Sequence, residues 1–183
     1  MEKDHENYLL FLKGDKQAME EIIKNHKDGL TLYLAGFSHD FILAEDLMED
    51  TFVKLIVDKP RFKGTSSFKT WLYSIGRNIA FDYYRKNKKV VQVPLDEGMV
   101  NQDEDIWNSY IKEEDKRLVH KAMDKLKTEY RQVLYLSFFE DMKNEEIAAA
   151  LHKNKRQIEN LLYQAKKALK NQLEKEGYTY EGL

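Results

Sequence analysis

The 183-residue chain has no cysteine, only two prolines and eight glycines, and no long uninterrupted apolar run. Without cysteine there is no disulfide framework and no thiolate metal site, which fits a reducing cytoplasm. No apolar stretch reaches the roughly 18 residues of a membrane-spanning helix, and the charged start of the chain is not followed by the apolar core of a secretory signal. We therefore expect a cytoplasmic protein without membrane insertion of its own.

Signatures of catalysis are also missing. The five histidines are scattered, no two of them lie three or four residues apart, and neither a GxxxxGK[ST] nor a GxGxxG phosphate loop is present. Glu45, Asp46, Glu49 and Asp50 have the i, i+4 spacing of helical metal ligands, but a metal site usually adds histidine or a constrained loop. The favoured interpretation is a solvated acidic face. We expect no enzyme activity, no metal and no cofactor.

Charge is distributed unevenly along the chain, although the net charge is only −2. Residues 59–89 contain nine basic residues and one acid, a net charge of +8, and residues 153–175 carry +5. Between them, residues 96–115 contain eight acids and one base, a net charge of −7. Because a polyanion responds to the local field, the two basic blocks are candidate nucleic-acid surfaces.

Apolar residues recur at helical spacing over most of the chain, and alternating strand-like runs are scarce. The first helix is predicted to begin at the N-cap Asp15, the second to run from about Phe41 until shortly before Pro60, and the third to follow an N-cap at Ser66 or Ser67. The third helix should turn one stripe inward: Phe68, Trp71, Leu72, Ile75, Ile79 and Tyr83.

Periodicity fades over residues 89–112 and returns afterwards in four further helices. The pattern predicts an all-α fold of two small helical domains joined by a charged linker. The expected boundaries are 1–88 for the first domain, 89–112 for the acidic linker, 113–176 for the second domain and 177–183 for a loose tail.

The C-terminal block has the pattern of a helix-turn-helix. A short helix over residues 145–151 is followed by a tight turn at residues 152–154 and by a longer basic helix from Lys155. The second helix should bury Ile158, Leu162, Ala165 and Leu169. Its polar residues then face outward, where they could enter a major groove. An ordinary helical hairpin with a basic face is the alternative.

The basic block at residues 59–89 interleaves aromatic residues with cations. This combination suits single-stranded or flipped bases, which can stack on exposed rings while cations hold the phosphates. Several of the rings share the inward stripe of the third helix and should be core. Phe62 and some of the tyrosines remain as candidate stacking platforms.

Three stretches resemble the small extracytoplasmic-function (ECF, group 4) RNA polymerase sigma factors of the sigma-70 family. Residues 44–55 are similar to that family's polymerase-binding helix. Residues 61–64 and 68–78, with Asp82 and Arg85, resemble its promoter-melting segment, and residues 145–169 resemble its terminal helix-turn-helix. The resemblance covers about residues 7–175, and it implies a sigma-2-like domain followed by a sigma-4-like domain.

The resemblance also implies residue roles. Contact at or near the coiled coil of the largest polymerase subunit falls to Asp46, Leu47, Asp50, Phe52 and Leu55, of which the acids are the safer assignment. A second group of residues is expected to hold a base flipped from the −10 element and the phosphates beside it. This group is Phe62, Lys63, Gly64, Thr65, Ser66, Ser67, Arg77, Asn78 and Lys86. Reading of the −35 element falls to Lys155, Arg156, Gln157, Glu159, Asn160, Tyr163, Gln164 and Lys167. An anti-sigma factor is implied as a further partner, beside promoter DNA and core polymerase.

The sequence departs from the family pattern at several of these positions. Relatives often carry arginine or serine where this chain has residues 159–161, and arginine in place of Gln164. Arginine favours guanine edges whereas asparagine and glutamine favour adenine, so the −35 sequence of relatives should not be carried over. Gly76 stands where alanine is common, which should loosen that helix slightly.

Two other classes of protein compete with this interpretation. A helix-turn-helix regulator that acts without polymerase would explain residues 113–175 but leave the aromatic-basic block and the acidic helix without a role. A helical adaptor with no nucleic-acid role would leave both basic blocks unexplained.

Overall fold

The computed structural model describes residues 2–37, 40–87, 114–175 and 177, with side chains described from residue 118 onward in the third of these segments. The described part contains eight α-helices and no strand. They are α1 (Lys3–Leu12), α2 (Lys16–Ala35), α3 (Phe41–Val57), α4 (Phe68–Asn87), α5 (Glu114–Asp124), α6 (Thr128–Phe138), α7 (Asn144–Ala150) and α8 (Lys155–Lys175). The predicted all-α class is confirmed. The predicted linker at 89–112 lies outside the described residues.

Local capping explains where three helices begin. The Asp15 carboxylate accepts from the backbone N–H groups of Gln17 and Ala18 at 3.0 and 3.3 Å, as predicted for α2. Asp40 caps α3 in the same way, and the Ser67 hydroxyl accepts from Thr70 N–H at 3.2 Å at the start of α4. The sequence prediction missed α1 entirely, and it placed the first helix at Asp15.

The N-terminal half is built on α2, α3 and α4, whose apolar faces pack together. Leu30, Leu47, Leu55 and Leu72 are fully buried between them. Gly76 lies where α4 approaches its neighbours most closely, because a Cβ there would come within 3.0 Å of Leu30 Cδ1 and 3.3 Å of Thr51 Oγ1. Its missing side chain therefore permits close packing, a role that the sequence prediction of a loosened helix did not include.

The C-terminal half packs α5, α6 and α7 against the long helix α8. The predicted inward stripe of α8 is confirmed, since Ile158, Leu162, Ala165 and Leu169 are all buried. The stripe predicted for α4 is confirmed only in part. Tyr83 is 37% exposed, whereas Tyr73, which the stripe did not include, is completely buried.

The two halves pack against each other through a polar contact around Glu140. The Lys69 ammonium pairs with the Glu140 carboxylate and also donates to its backbone oxygen at 2.9 Å. The Tyr135 hydroxyl lies 3.3 Å from the same carboxylate and 3.1 Å from the carbonyl oxygen of Gly29. A Cβ on Gly29 would collide with the carboxylate of Glu140 and lie 2.6 Å from the Tyr73 hydroxyl. Glycine inside α2 is thus explained by this close approach, which offsets its poor helix propensity.

A second contact between the halves comes from Arg131, which is 5% exposed. Its guanidinium donates to the carbonyl oxygen of Gly36 at the end of α2, at 3.0 Å, and to that of Asp124 at 2.9 Å.

None of the helices in the described part of the chain combines the length and the apolar character that a membrane-spanning helix needs.

Candidate nucleic-acid interface

Helices α7 and α8 and the turn between them form the predicted helix-turn-helix. His152 adopts a left-handed backbone conformation (φ 52°), which reverses the chain direction. Asn154 and Gln157 then cap α8 reciprocally, because each side-chain oxygen accepts from the other residue's backbone N–H at 2.9 Å. The start of α8 is therefore fixed by its own sequence.

All eight residues predicted to face DNA on α8 are exposed to solvent. Tyr163 is the most prominent of the apolar ones, with 72% of its surface exposed. The buried stripe on the opposite side of α8 faces α5, α6 and α7, so the exposed residues share the outer face. This is the arrangement that a recognition helix requires.

Two of these residues, both glutamines, have their amide oxygens engaged within the protein. Gln157 uses its amide oxygen in the α8 cap, and Gln164 accepts at its amide oxygen from the Tyr130 hydroxyl at 3.1 Å. Bidentate recognition of adenine needs both the oxygen and the nitrogen of an amide. Asn160 is exposed on the same face and has no such contact to Asn154 or Tyr130.

Lysines at the start of α8 pair with acids. Lys155 Nζ lies 2.6 Å from Glu145 Oε1, and this hydrogen bond is the main reason that the pKa of Lys155 is raised and that of Glu145 lowered. Lys153 lies 3.4 Å from Glu129. Binding of a phosphate by either lysine requires an exchange of partners. For the exposed pair of Lys155 and Glu145, this exchange costs little free energy.

The loop before α4 presents a polar, exposed surface. Lys63, Gly64 and Thr65 are exposed, Ser66 and Ser67 are half-buried, and Gly64 has a left-handed backbone (φ 68°). Phe62 is half-buried in an aromatic cluster, with its ring centroid 5.0 Å from Trp71 and 5.6 Å from Phe68. One face of the Phe62 side chain therefore belongs to the core, a role that its sequence position alone did not indicate.

The remaining residues predicted for the −10 element lie on α4. The Arg77 guanidinium lies 4.3 Å from the centroid of the Phe81 ring. Asn78 is exposed but contacts the other half of the molecule, since its Oδ1 lies 3.2 Å from His152 Nε2. Lys86 is exposed near the C-terminal end of the helix. Loop and helix thus place these residues on one half of the molecule, and Asn78 contacts the helix-turn-helix through His152.

On α3 the structure separates the predicted polymerase-binding residues into two faces. Leu47, Phe52 and Leu55 are at most 4% exposed, so these three residues belong to the core of this structure and do not form the outer surface of α3. Asp46 and Asp50 are exposed. Their helical face includes Glu49, which was predicted as part of the solvated acidic face. It continues through three exposed aliphatic side chains that the prediction missed: Ile42, Val53 and Val57.

Comparison with known proteins agrees with this geometry. The family model for Sigma-70 region 2 matches residues 22–90, and that for Sigma-70 region 4 matches residues 116–169. Among curated proteins, RNA polymerase sigma factor SigV of Bacillus subtilis is 32% identical over 161 residues, covering 88% of this chain and 94% of SigV. The ECF RNA polymerase sigma factor SigX of the same organism is 28% identical over 157 residues, covering 81% of this chain and 79% of SigX.

Solved structures share the fold. CnrH, in complex with the cytosolic domain of CnrY, superposes with a TM-score of 0.69 at 21% identity, covering 94% of this chain and 98% of CnrH. The sigma factor RpoE of Bartonella quintana, in complex with the anti-sigma factor NepR, superposes with a TM-score of 0.63 at 20% identity, covering 85% of this chain and 96% of RpoE.

The chain has two helical halves, a helix-turn-helix in the second half, and matches to the family models of both regions. Together these features define a transcription protein of the sigma factor class. The chain belongs to the sigma-70 family of RNA polymerase sigma factors, in its ECF group. Proteins of this family bind RNA polymerase and direct transcription initiation, and they are initiation factors rather than enzymes.

Proposed function

We propose that this chain selects promoters by dividing the task between its two halves, with α8 reading the −35 element and the loop at 62–67 with α4 capturing the −10 element. The observation that carries the proposal is the outer face of α8, where all eight predicted residues are exposed while the opposite stripe is buried. A capped, rigid helix with a polar outer face suits a major groove.

On α8, the roles of the exposed residues follow from their contacts. Asn160 is the residue best placed for bidentate adenine recognition, and Glu159 can accept from a cytosine amino group. Gln157 and Gln164 each use an amide oxygen inside the protein, so each offers DNA its amide nitrogen as a donor. Lys155 and Lys167 act on phosphates, and Arg156 and Tyr163 complete the face.

For the −10 element, we assign base capture to the exposed loop residues and to Asn78. An asparagine amide offers both donor and acceptor to a base edge. Lys63, Arg77 and Lys86 supply positive charge for the phosphates. The part of the Phe62 ring that is not buried supplies a surface on which a base can stack. Because Asn78 contacts His152, base capture requires the helix-turn-helix to move away from α4.

Core polymerase binding is assigned to the outer face of α3. Asp46 and Asp50 lie one turn apart, with the exposed side chain of Val53 following on the same face. Acids flanked by an exposed aliphatic side chain suit a basic, amphipathic helix such as one arm of the coiled coil in the largest polymerase subunit.

We also propose that the chain acts in the cytoplasm and is restrained by an anti-sigma factor.

Permanganate footprinting of open complexes tests the proposal. The promoter is first located by mapping transcript 5′ ends after overproduction of the chain. Holoenzyme should then expose unpaired thymines at the −10 element, and Asn78→Ala should weaken this signal by about one order of magnitude, the value of one lost base contact.

A template with a pre-melted −10 bubble separates two causes of such a defect. The bubble should rescue a defect in melting but not a loss of base recognition. Full opening of intact duplex DNA by the Asn78→Ala holoenzyme would show that the base is captured elsewhere. Binding to duplex DNA by the chain alone, without opening in the presence of core enzyme, would favour a regulator that acts without polymerase.

A further inference from the structure

Every third residue of the N-terminal segment contacts the loop that leads into α4. These residues are Glu2, which precedes α1, and His5, Tyr8 and Phe11 within it. Their i, i+3 spacing makes each one a neighbour of the next along the surface of the helix. They precede the residues 22–90 that match the region 2 family model. No role in DNA recognition follows from the match for this helix.

At the beginning of the loop, α1 supplies two contacts. Lys59 Nζ lies 5.5 Å from the centroid of the Phe11 ring, and the Tyr8 hydroxyl donates to the carbonyl oxygen of Pro60 at 2.8 Å. Tyr8 is fully buried, and burial raises its pKa to about 12, so the hydroxyl remains a donor at neutral pH. The start of the loop is therefore tied to the middle of α1.

At the centre and the end of the loop, α1 supplies two more contacts. The His5 ring packs edge-on against Phe62, with centroids 4.8 Å apart and the planes at 90°. The Glu2 carboxylate accepts from the backbone N–H of Phe68 at 2.7 Å. This N–H belongs to the first turn of α4, where it has no partner within the helix and where a negative charge is favoured.

The four contacts follow the loop in reverse order, from residue 59 to residue 68, as α1 runs from residue 11 to residue 2. The loop has no regular secondary structure between these points, and its exposed residues include Lys63, Gly64 and Thr65. Its shape therefore depends on contacts made from outside the loop. A segment that is already ordered binds its ligand without the entropic cost of ordering.

We propose that α1 is a brace for the −10 loop, with Glu2, His5 and Tyr8 as positioning residues that hold residues 62–67 in the conformation that captures an unstacked base. The inference rests on the proposed function of this loop. It assigns to α1 a part in promoter selectivity that acts through the loop and requires no contact between α1 and DNA.

Fluorescence anisotropy of holoenzyme with a labelled single-stranded oligonucleotide tests the brace. The oligonucleotide carries the −10 element mapped from transcript 5′ ends, and a second one carries a single base change within it. Tyr8→Phe keeps the ring and removes the bond to Pro60, whereas Glu2→Ala removes the acceptor for Phe68. Each variant should bind the cognate strand about two- to tenfold more weakly, the effect of one lost hydrogen bond, and discriminate less between the two strands.

Binding to −35 duplex DNA and co-purification with core polymerase should stay unchanged in both variants. Glu2→Gln retains an acceptor without the charge and should fall between Glu2→Ala and the original chain.

Asp4→Asn is the matched control, because Asp4 joins α1 to His26 of α2 at 2.8 Å and does not touch the loop. It should bind the −10 strand as the original chain does. An equal loss in Asp4→Asn and Tyr8→Phe would overturn the inference, because attachment of α1 would then matter and its loop contacts would not. Unaltered affinity and discrimination in both Glu2→Ala and Tyr8→Phe would overturn it too. A failure of the original holoenzyme to prefer the cognate strand would instead remove the proposed function of the loop, and the brace with it.

Discussion

On α8, Gln157 and Asn160 lie about one turn apart and carry the same amide group, yet their surroundings give them different roles. The Gln157 amide closes the reciprocal cap with Asn154, whereas Asn160 lies further along the exposed face. Base recognition by an amide depends on having both its oxygen and its nitrogen available. Asn160 is thus the better test of direct base recognition on this helix.

Replacement of Asn160 by alanine should cost about 1–3 kcal/mol at one base position of the −35 element and relax the preference there. Lys167→Ala should weaken binding to all promoter variants alike and reduce the salt dependence by about one unit of slope, since one phosphate contact is lost. Holoenzyme binding to a panel of −35 duplexes at two salt concentrations measures both effects. An equal loss on every duplex for Asn160→Ala would reassign that residue to phosphate binding.

Among single residues, exposure on α8 was predictable and side-chain pairing was not. The apolar stripe of residues 158, 162, 165 and 169 dictates which residues point outward, and the structure confirms it. The bond between Tyr130 and Gln164 joins residues 34 positions apart. Helical periodicity carries no information about such a tertiary contact. The same limit applies to Glu140, whose partners Lys69 and Tyr135 lie on different helices.

At the level of helices, α3 shows that amphipathic periodicity can predict the span of a helix correctly without separating its core residues from its surface residues. The predicted span and its acidic surface agree with the structure, but three apolar residues assigned to the partner surface are buried. Both core and interface positions favour large apolar side chains, so residue type alone does not separate them. Position on the helix does, since the exposed residues 42, 46, 50, 53 and 57 lie on one face.

Reversing the two exposed aspartates of α3 tests the polymerase assignment. Asp46→Lys with Asp50→Lys should strongly reduce co-purification with core polymerase, because two attractive charges become repulsive. The fold should be retained, since surface substitutions usually change stability by less than about 0.5 kcal/mol.

Glu20→Lys with Glu21→Lys makes the same change in net charge at exposed positions of α2, and this control should co-purify normally. Normal recovery of the α3 double variant with core enzyme would contradict the assignment.

Helix α1 was missed because its signal in the sequence is weak. Only Tyr8 and Phe11 among its ten residues are buried, and the chain offers no side-chain cap at Glu2. The helix is stabilised by tertiary contacts such as that between Asp4 and His26. Short helices generally depend on such packing, so their formation is difficult to derive from propensity.

For the whole molecule, the division into two helical halves was predictable from composition, and their packing was not. The charge pattern and the fading periodicity predict a linker over residues 89–112, and these bounds stay a prediction. The contact between the halves depends on single residues such as Gly29, which gives room to Glu140, and Arg131, which reaches the end of α2. In this arrangement Lys69 and Asn78 face the second half.

Weakening the Glu140 contact should therefore open the molecule. Burial, and then the Glu140 carboxylate, raise the pKa of the Tyr73 hydroxyl well above its usual value, so the carboxylate sits among protonated hydroxyls and the Lys69 ammonium. Glu140→Ala removes these interactions, which together contribute about 1–3 kcal/mol. Dyes attached to Glu20→Cys and Asn171→Cys, in a chain that has no cysteine of its own, should report lower energy transfer.

Asp58→Asn is the control for this opening, because Asp58 is exposed and pairs with Lys54 inside its own half. It should leave the energy transfer unchanged. Unchanged transfer in Glu140→Ala as well would mean that the apolar packing alone holds the halves together.

Promoter-specific initiation by this chain can be measured by run-off transcription with core polymerase and the purified chain, on templates whose start sites are mapped from transcript 5′ ends. We expect discrete transcripts from those sites with the original chain, none with core enzyme alone, and a strong reduction when Asp46→Lys and Asp50→Lys are combined. Core enzyme with the original chain giving the same products as core enzyme alone would contradict the conclusion that this chain directs promoter-specific initiation.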